Sequence, residues 1–161
     1  MKVFRKVEPN IYYQAEGFHI AANILSSSDA MKYRGSPFIV NAIFAVELYL
    51  KSLNGETVFD APSQYCQGVT QYNKVFSKSL TGGHDLKILY KALSSENRSQ
   101  IMQSFEHQIT YLTAEDFFEK YNHHFVSWRY GFEGNAASFN SSEILVMLDT
   151  LKVVGAQYIQ N

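Results

Sequence analysis

Apolar residues recur at helical spacing along most of this chain. The first run follows Asn10, a favoured helix N-cap, and consists of Ile11, Ala15, Phe18, Ala22 and Leu25. Its alternating steps of four and three residues predict an amphipathic helix of about four and a half turns at ~3.6 residues per turn. Residues 29–36 then form a polar stretch, which we predict to be a connector.

The most apolar run spans residues 38–53 and is hydrophobic on nearly every side. Ser36 and Pro37 stand directly before it, which is typical of a cap and a first helical residue. A helix that is apolar all round is buried inside a fold, so we predict that 38–53 is the central helix. Its polar stripe is confined to the C-terminal half and consists of Glu47, Lys51 and Asn54.

The second half of the chain contains further apolar runs at helical spacing. A short one begins near Leu86, and the last one begins after residue 140. The helix starts are marked by Ser94 or Ser95, by Thr113 with Asp116, and by Asn140 with Glu143. The run that begins at Thr113 continues at helical spacing as far as Trp128, which predicts one unbroken helix there.

Residues 55–83 interrupt the helical pattern. They mix β-prone residues with chain breakers such as Pro62 and Gly68. A structureless connection of this length is unusual in a compact domain, so we predict either a packed long loop or a small hairpin insertion. The pattern as a whole predicts an all-α fold. We expect residues 1–161 to form a single domain, an up-and-down bundle of five or six helices.

Composition narrows the class of protein but not its activity. Hydrophobic residues make up 46% of the chain and charged residues 18%, which is typical of an ordered globular fold. The net charge of −1 provides no overall attraction to nucleic acid or to an acidic membrane. Cys66 is the single cysteine, and we find no secretory signal or membrane-spanning segment. We therefore predict a cytoplasmic protein without membrane contact.

Two groups of polar residues stand beside apolar runs. Glu47 and Lys51 are four residues apart in the favourable order for an ion pair, which could be an ordinary surface pair or could lie at the edge of a core. His84 and Asp85 follow Gly82-Gly83 at the start of a predicted helix. A role in orienting the chain is the first interpretation of His84, and general-base catalysis is the second.

A third group consists of Arg129, its aromatic neighbours Trp128 and Tyr130, and Glu133 four residues later. Aromatic neighbours can hold a guanidinium rigidly, and a fixed arginine suits recognition of a phosphate or a base. The alternative is an arginine at a helix end that is neutralised by Glu133 and packed for stability.

The chain contains no pattern that predicts a metal site or a cofactor. His123 and His124 are adjacent, so on a helix their side chains diverge by ~100° and cannot readily share one ion. The sequence around Gly82-Gly83 lacks the spacing of a phosphate-binding P-loop. We therefore predict neither a metal nor a cofactor.

Three segments in a fixed order resemble the HEPN superfamily, the higher eukaryote and prokaryote nucleotide-binding domain. They are residues 45–53, reading AVELYLKSL, residues 83–89, reading GHDLKIL, and residues 128–130, reading WRY. The resemblance covers roughly residues 10–159. It implies a helical bundle that often dimerises, in a superfamily that includes ribonuclease toxins, phage-defence effectors and non-catalytic nucleotide-binding or RNA-binding domains.

The catalytic members of that superfamily resemble one another in an arginine followed after four to six residues by a histidine. This chain departs from the pattern, because His124 is its last histidine and Arg129 has none after it. The resemblance therefore implies a non-catalytic module that forms a homodimer and binds a nucleotide or RNA phosphate at a dimer-associated cleft. Arg129 is expected to recognise the phosphate, aided by Lys51 or His84. The implied ligand-binding residues are Glu47, Lys51, His84, Asp85, Trp128, Arg129, Tyr130 and Glu133.

Two alternatives stay open. One is a divergent metal-independent ribonuclease of a toxin–antitoxin or phage-defence system, which would use His84, His123 or His124 together with Arg129. The other is a protein–protein interaction module, such as an antitoxin-like partner encoded in the same operon. Its aromatic segment within 55–82 would then dock on the partner.

Overall fold

The computed structural model describes residues 1–27, 31–130 and 138–159, and within this part it gives only the backbone of residues 31–34. The described residues contain three strands, all in the first half of the chain, and a set of helices. In chain order they are β1 (Lys2–Phe4), α1 (Pro9–Ser26), α2 (Met31–Ser52), β2 (Gly55–Cys66), β3 (Val69–Ser79), α3 (Leu86–Lys91), α4 (Ser95–Gln108), α5 (Ala114–Tyr121), α6 (His124–Arg129) and α7 (Ser141–Ile159).

The prediction of an all-α, up-and-down bundle of five or six helices is wrong. The three strands form an antiparallel sheet in the order β1-β2-β3, so the fold is α+β. Thr57 in the central strand pairs with Val3 on one side and with Ser77 on the other. β1 is only three residues long and is held by this pairing, which local sequence cannot signal.

The hairpin of β2 and β3 occupies the segment for which the sequence predicted either a packed loop or a hairpin. Its base is anchored in the core by Glu8, which is fully buried and accepts hydrogen bonds from the hydroxyls of Thr57 (2.5 Å) and Ser77 (2.7 Å). Residues 60–71, which we call the arm, are exposed at every position. The arm thus projects from the domain with neither face covered.

The helical core forms around α2, as the apolar run predicts. α2 packs against α1, α3, α6 and α7, and α4 packs against both α5 and α7. The largest fully buried side chains of α2 are Phe38, Ile39, Ile43, Tyr49 and Leu50. Their burial fixes the face of α2 that turns inward and therefore the direction in which Glu47 points.

Several predicted helix boundaries differ from the structure. The N-cap of α1 is Glu8 rather than Asn10, because the Glu8 carboxylate accepts the Asn10 backbone N–H at 3.4 Å while it also holds the hairpin. α2 begins at Met31, so Pro37 lies inside the helix and most of the predicted connector is helical. Gly35, which this earlier start places inside α2, lies close to the rings of Trp128 and Phe139.

The helix predicted from Thr113 to Trp128 is broken in two. Thr113 caps α5 as predicted, accepting the Asp116 N–H at 3.1 Å, but α5 ends at Tyr121 and α6 begins at His124. The break at Asn122 places the Asn122 side chain against the start of α3. Ser94 caps α4, the first of the two serines considered for that role.

Candidate functional site

Glu47 is the centre of a cluster that joins two distant parts of the chain. Its carboxylate is buried, with a side chain only 2% exposed. One oxygen, Oε1, accepts the Lys51 ammonium at 2.6 Å and lies 2.9 Å from Nδ1 of His84. The structure therefore brings together three of the residues singled out in the sequence.

The geometry of this cluster follows from two local features. Glu47 and Lys51 are one turn apart near the C-terminal end of α2, where a cation is also favoured by the helix dipole. The chain then returns from β3 over that end, because Asn54 accepts the Leu80 N–H at 2.9 Å and donates to the Thr81 hydroxyl at 2.8 Å. Gly83, with φ of +85°, makes the turn that places His84 over Glu47.

The cluster has a buried base and an exposed rim. The side chain of Lys51 is 17% exposed and that of His84 is 73% exposed. When Nδ1 of His84 donates to Glu47, Nε2 is left as an acceptor in the neutral ring and as a donor in the imidazolium ion. With His84 protonated, two cations surround one carboxylate, so the cluster carries a net charge of one positive unit.

Asp85 serves a different purpose from its neighbour His84. It is the N-cap of α3, since its Oδ1 accepts the Ile88 N–H at 2.9 Å. Its Oδ2 accepts the side-chain amide of Asn122 at 2.8 Å, and Asn122 in turn accepts the Leu86 N–H at 2.7 Å. The bond from Asn122, more than any other contact, lowers the pKa of Asp85. Asn122 was not singled out in the sequence, because its partners lie on another helix.

The α6 helix runs along α2, and Trp128 lies near the N-terminal part of α2. Phe125 of α6 packs on Phe44 with ring centroids 5.4 Å apart, and a methyl group at Gly35 would lie 3.8 Å from the Trp128 ring. Gly35 precedes Glu47 by twelve residues, a rise of ~18 Å along a helix. The Trp128 ring is therefore separated from the Glu47 cluster.

Arg129 and Tyr130 are both exposed, and the Arg129 guanidinium carbon lies 5.8 Å from the centroid of the Tyr130 ring. Trp128 packs edge-on against Phe139, with centroids 5.1 Å apart. Glu133, the fourth member predicted for this group, lies outside the described residues.

The two remaining histidines of the ribonuclease alternative differ in access. His124 is buried, and its Nε2 lies 3.0 Å from the Ser138 carbonyl oxygen. His123 is exposed and close enough to Asp85 to contribute to the lowering of the pKa of that carboxyl. Of these two, only His123 is exposed to solvent.

The Glu47 cluster lies apart from two clefts on the surface of the described residues. A cleft of about 590 Å³ is lined by Arg5, Lys6 and Tyr158, and another of about 520 Å³ lies between α4 and α7. Within the described residues, no three potential metal ligands gather at one point. In the same part of the chain, no helix is both long and apolar enough to cross a bilayer.

No protein-family model, curated protein or solved structure matches this chain.

Proposed function

We propose that this protein is a cytoplasmic, non-catalytic HEPN-like module that binds the phosphate of a nucleotide or of RNA at Lys51 and His84. The observation that carries the proposal is the convergence of these two side chains on the buried carboxylate of Glu47, at 2.6 and 2.9 Å. The same two segments, 45–53 and 83–89, carry much of the HEPN resemblance.

Glu47 acts in this proposal as a support for the two cations. A carboxylate that is 2% exposed and hydrogen-bonded to both holds them in place before a ligand arrives, which reduces the entropy lost on binding. The ammonium of Lys51 has three donors and uses one on Glu47. The others, together with Nε2–H of the His84 imidazolium ion, can donate to phosphate oxygens.

The open position of the cluster favours a phosphate group over an enclosed small molecule. Because His84 is 73% exposed, a ligand can approach it from solvent while its sugar and base extend over the surface. A polymer such as RNA can use this surface without entering a cavity. Arg129 would then contact a different part of a long ligand, since it follows Trp128, whose ring lies near Gly35.

Titration of the purified protein with mononucleotides and with short RNA oligomers tests this proposal. We expect His84→Ala and Lys51→Met each to weaken binding about 10- to 100-fold, the range for losing one charge-assisted hydrogen bond. Lys87→Met, which removes a lysine of α3 that pairs with Glu119, is the matched control and should leave affinity nearly unchanged. Binding that is absent in the wild type, or equal in all variants, would contradict the proposal.

Arg129→Ala separates the two classes of ligand. We expect the affinity of a mononucleotide held at Lys51 and His84 not to change, because Arg129 follows Trp128, whose ring lies near Gly35, ~18 Å along α2 from Glu47. An RNA oligomer that spans this distance should bind more weakly and with a smaller dependence on salt. Equal losses for both ligands would place the phosphate site at Arg129 instead.

A second candidate function, a metal-independent ribonuclease, is favoured by the hydrogen bond between His84 and Glu47. A carboxylate that holds Nδ1 directs Nε2 toward solvent, where it can act as a general base. Nε2 would take the proton of an RNA 2′-hydroxyl as that oxygen attacks the phosphorus. The bond to the 5′-oxygen would break, and this oxygen would leave with a proton from a general acid such as His123.

Incubation with total RNA in the presence of EDTA distinguishes the two functions. If the protein is a ribonuclease, the RNA fragments should end in a 2′,3′-cyclic phosphate. The His84→Ala variant should produce no such fragments. Intact RNA together with measurable binding would support the non-catalytic module.

A further inference from the structure

The outward side of α1 carries an apolar face without a covering element in the described part of the chain. Its large side chains are Tyr13, Ile20 and Ile24, which are 56%, 56% and 63% exposed. Gly17 lies between Tyr13 and Ile20 and is exposed as well. These four residues, which we call the α1 face, follow one another at steps of four, three and four and therefore share one side of the helix.

The α1 face is free of charge. Glu16 is the one acidic residue of α1, which contains no lysine or arginine. Its carboxylate is turned toward α7, where it pairs with Lys152 at 3.3 Å. His19 is buried on the opposite side of α1. Two copies of this surface can therefore meet without electrostatic repulsion.

Gly17 makes a notch in the face. A methyl group built on Gly17 would meet no atom within 4 Å. The notch opens into a depression of about 290 Å³ whose walls include Phe18, Ala21 and Asn41. The neighbouring Ile20 projects from the same surface, so the face contains both a protruding side chain and a recess.

The order of large side chains and the glycine notch along the α1 face is complementary to the same order on a second copy. The steps of four, three and four are the same in either direction along the helix. If a second α1 lies antiparallel, with a two-fold axis between residues 18 and 19, Gly17 is opposite the partner's Ile20 and Tyr13 is opposite the partner's Ile24. Each isoleucine at position 20 then fills the notch of the other copy, as an isologous interface requires.

We infer that the α1 face is the homodimer interface of this protein and that its occupant is the α1 face of a second copy. The inference rests on the α1 surface and is independent of the phosphate site. A second copy places the Ile20 side chain opposite Gly17 twice across the two-fold axis, so both notches are filled. Burial of six large apolar side chains, three from each copy, drives the association.

The molar mass of the full chain in solution tests this inference. Wild type should elute with twice the 18.4 kDa of one chain. Gly17→Leu should be monomeric, because its side chain fills the notch, and its circular dichroism should stay helical, because the position is open and leucine favours helix more than glycine does. Val153→Ser is the control, since Val153 is 67% exposed on α7, and it should remain dimeric.

An exchange of knob and notch is the sharper test. The double variant Gly17→Ile with Ile20→Gly keeps one isoleucine opposite one glycine across the two-fold axis, so it should recover the dimer lost in Gly17→Leu. A monomeric wild type would overturn the inference, whether or not the face then binds another protein. A Gly17→Leu variant that stays dimeric, or an exchanged pair that stays monomeric, would also overturn it. This test measures molar mass and not ligand binding. A failure of the dimer inference can therefore be told apart from a failure of the proposed phosphate site.

Discussion

His84 Nδ1 lies 2.9 Å from Oε1 of Glu47, although the two residues are 37 positions apart in sequence. The same oxygen accepts the Lys51 ammonium. A buried carboxylate of this kind depends on its partners, because an unpaired charge in the interior is costly. The cluster is therefore important for stability as well as for the proposed binding of phosphate.

Removal of Lys51 should show this dependence. We expect Lys51→Met to lower the free energy of unfolding by ~1–3 kcal/mol, since within the described residues Glu47 then has only the exposed His84 as a partner. The double variant with Glu47→Gln should recover part of that loss, because the buried charge is gone. Urea unfolding of both single variants and the double variant gives the coupling. A double variant whose losses simply add would show that the two side chains do not interact.

Stability should fall when the pH decreases below neutrality, because of His19. This side chain is buried, with Nδ1 3.1 Å from the Tyr49 hydroxyl and Nε2 3.4 Å from Asp149, and burial lowers its pKa. The unfolded chain then binds a proton that the folded chain does not, so stability is complete above the unfolded pKa of about 6.5 and is lost below it.

Thermal unfolding across that range, in wild type and in His19→Gln, measures the effect. The variant should have a flatter dependence of Tm on pH between about 6.5 and 5, because the titrating group is absent. The same slope in both proteins would assign the pH dependence to other groups.

Gly155 in α7 should not tolerate alanine. A Cβ at Gly155 would lie 2.7 Å from Cδ2 of Tyr12 and closer still to Cε2. The Tyr12 ring cannot move away easily, since its hydroxyl donates to the Lys152 carbonyl at 2.9 Å. Overpacking of ~1–3 kcal/mol should outweigh the ~1 kcal/mol that alanine gains over glycine in a helix. A free energy of unfolding that increases in Gly155→Ala would mean that helix propensity dominates here.

The arm should contribute little to stability. Asp60 pairs with Lys74 across the hairpin, so an Asn-Gly turn between these two residues can replace 61–73 without a change of register. We expect the free energy of unfolding to change by less than ~1 kcal/mol, because the removed residues are mostly exposed. Thr57→Val at the hairpin base is the contrasting variant. It should cost more, since it leaves the buried Glu8 without one of its donors.

Features that depend on neighbouring residues could be predicted from the sequence. The central helix follows from an apolar run, and the caps Ser94 and Thr113 follow from side chains that bond within one turn. The placement of Glu47 beside Lys51 also follows from helical spacing. In each case, the residues that determine the structure lie within a few positions of one another.

Features that depend on distant contacts could not be predicted in this way. Asn122 interrupts the expected helix between Thr113 and Trp128 because its side chain bonds to the start of α3. Glu8 replaces Asn10 as the cap of α1 while it holds the hairpin. The contact of His84 with Glu47 depends on the same hairpin, which brings Gly83 back to the end of α2. The separation of the Trp128 ring from this cluster depends on the direction in which α6 crosses α2.

The imidazole resonances of His84 provide the most direct test of the proposed phosphate site. With ¹⁵N-labelled histidine, the Nε2 resonance of His84 should shift progressively and saturably as a mononucleotide or an RNA oligomer is added. That of His107, on α4, should stay in place, and Lys51→Met should reduce the shift of His84. If His84 does not respond while the ligand binds, or if all histidines respond alike, Lys51 and His84 do not form the phosphate site.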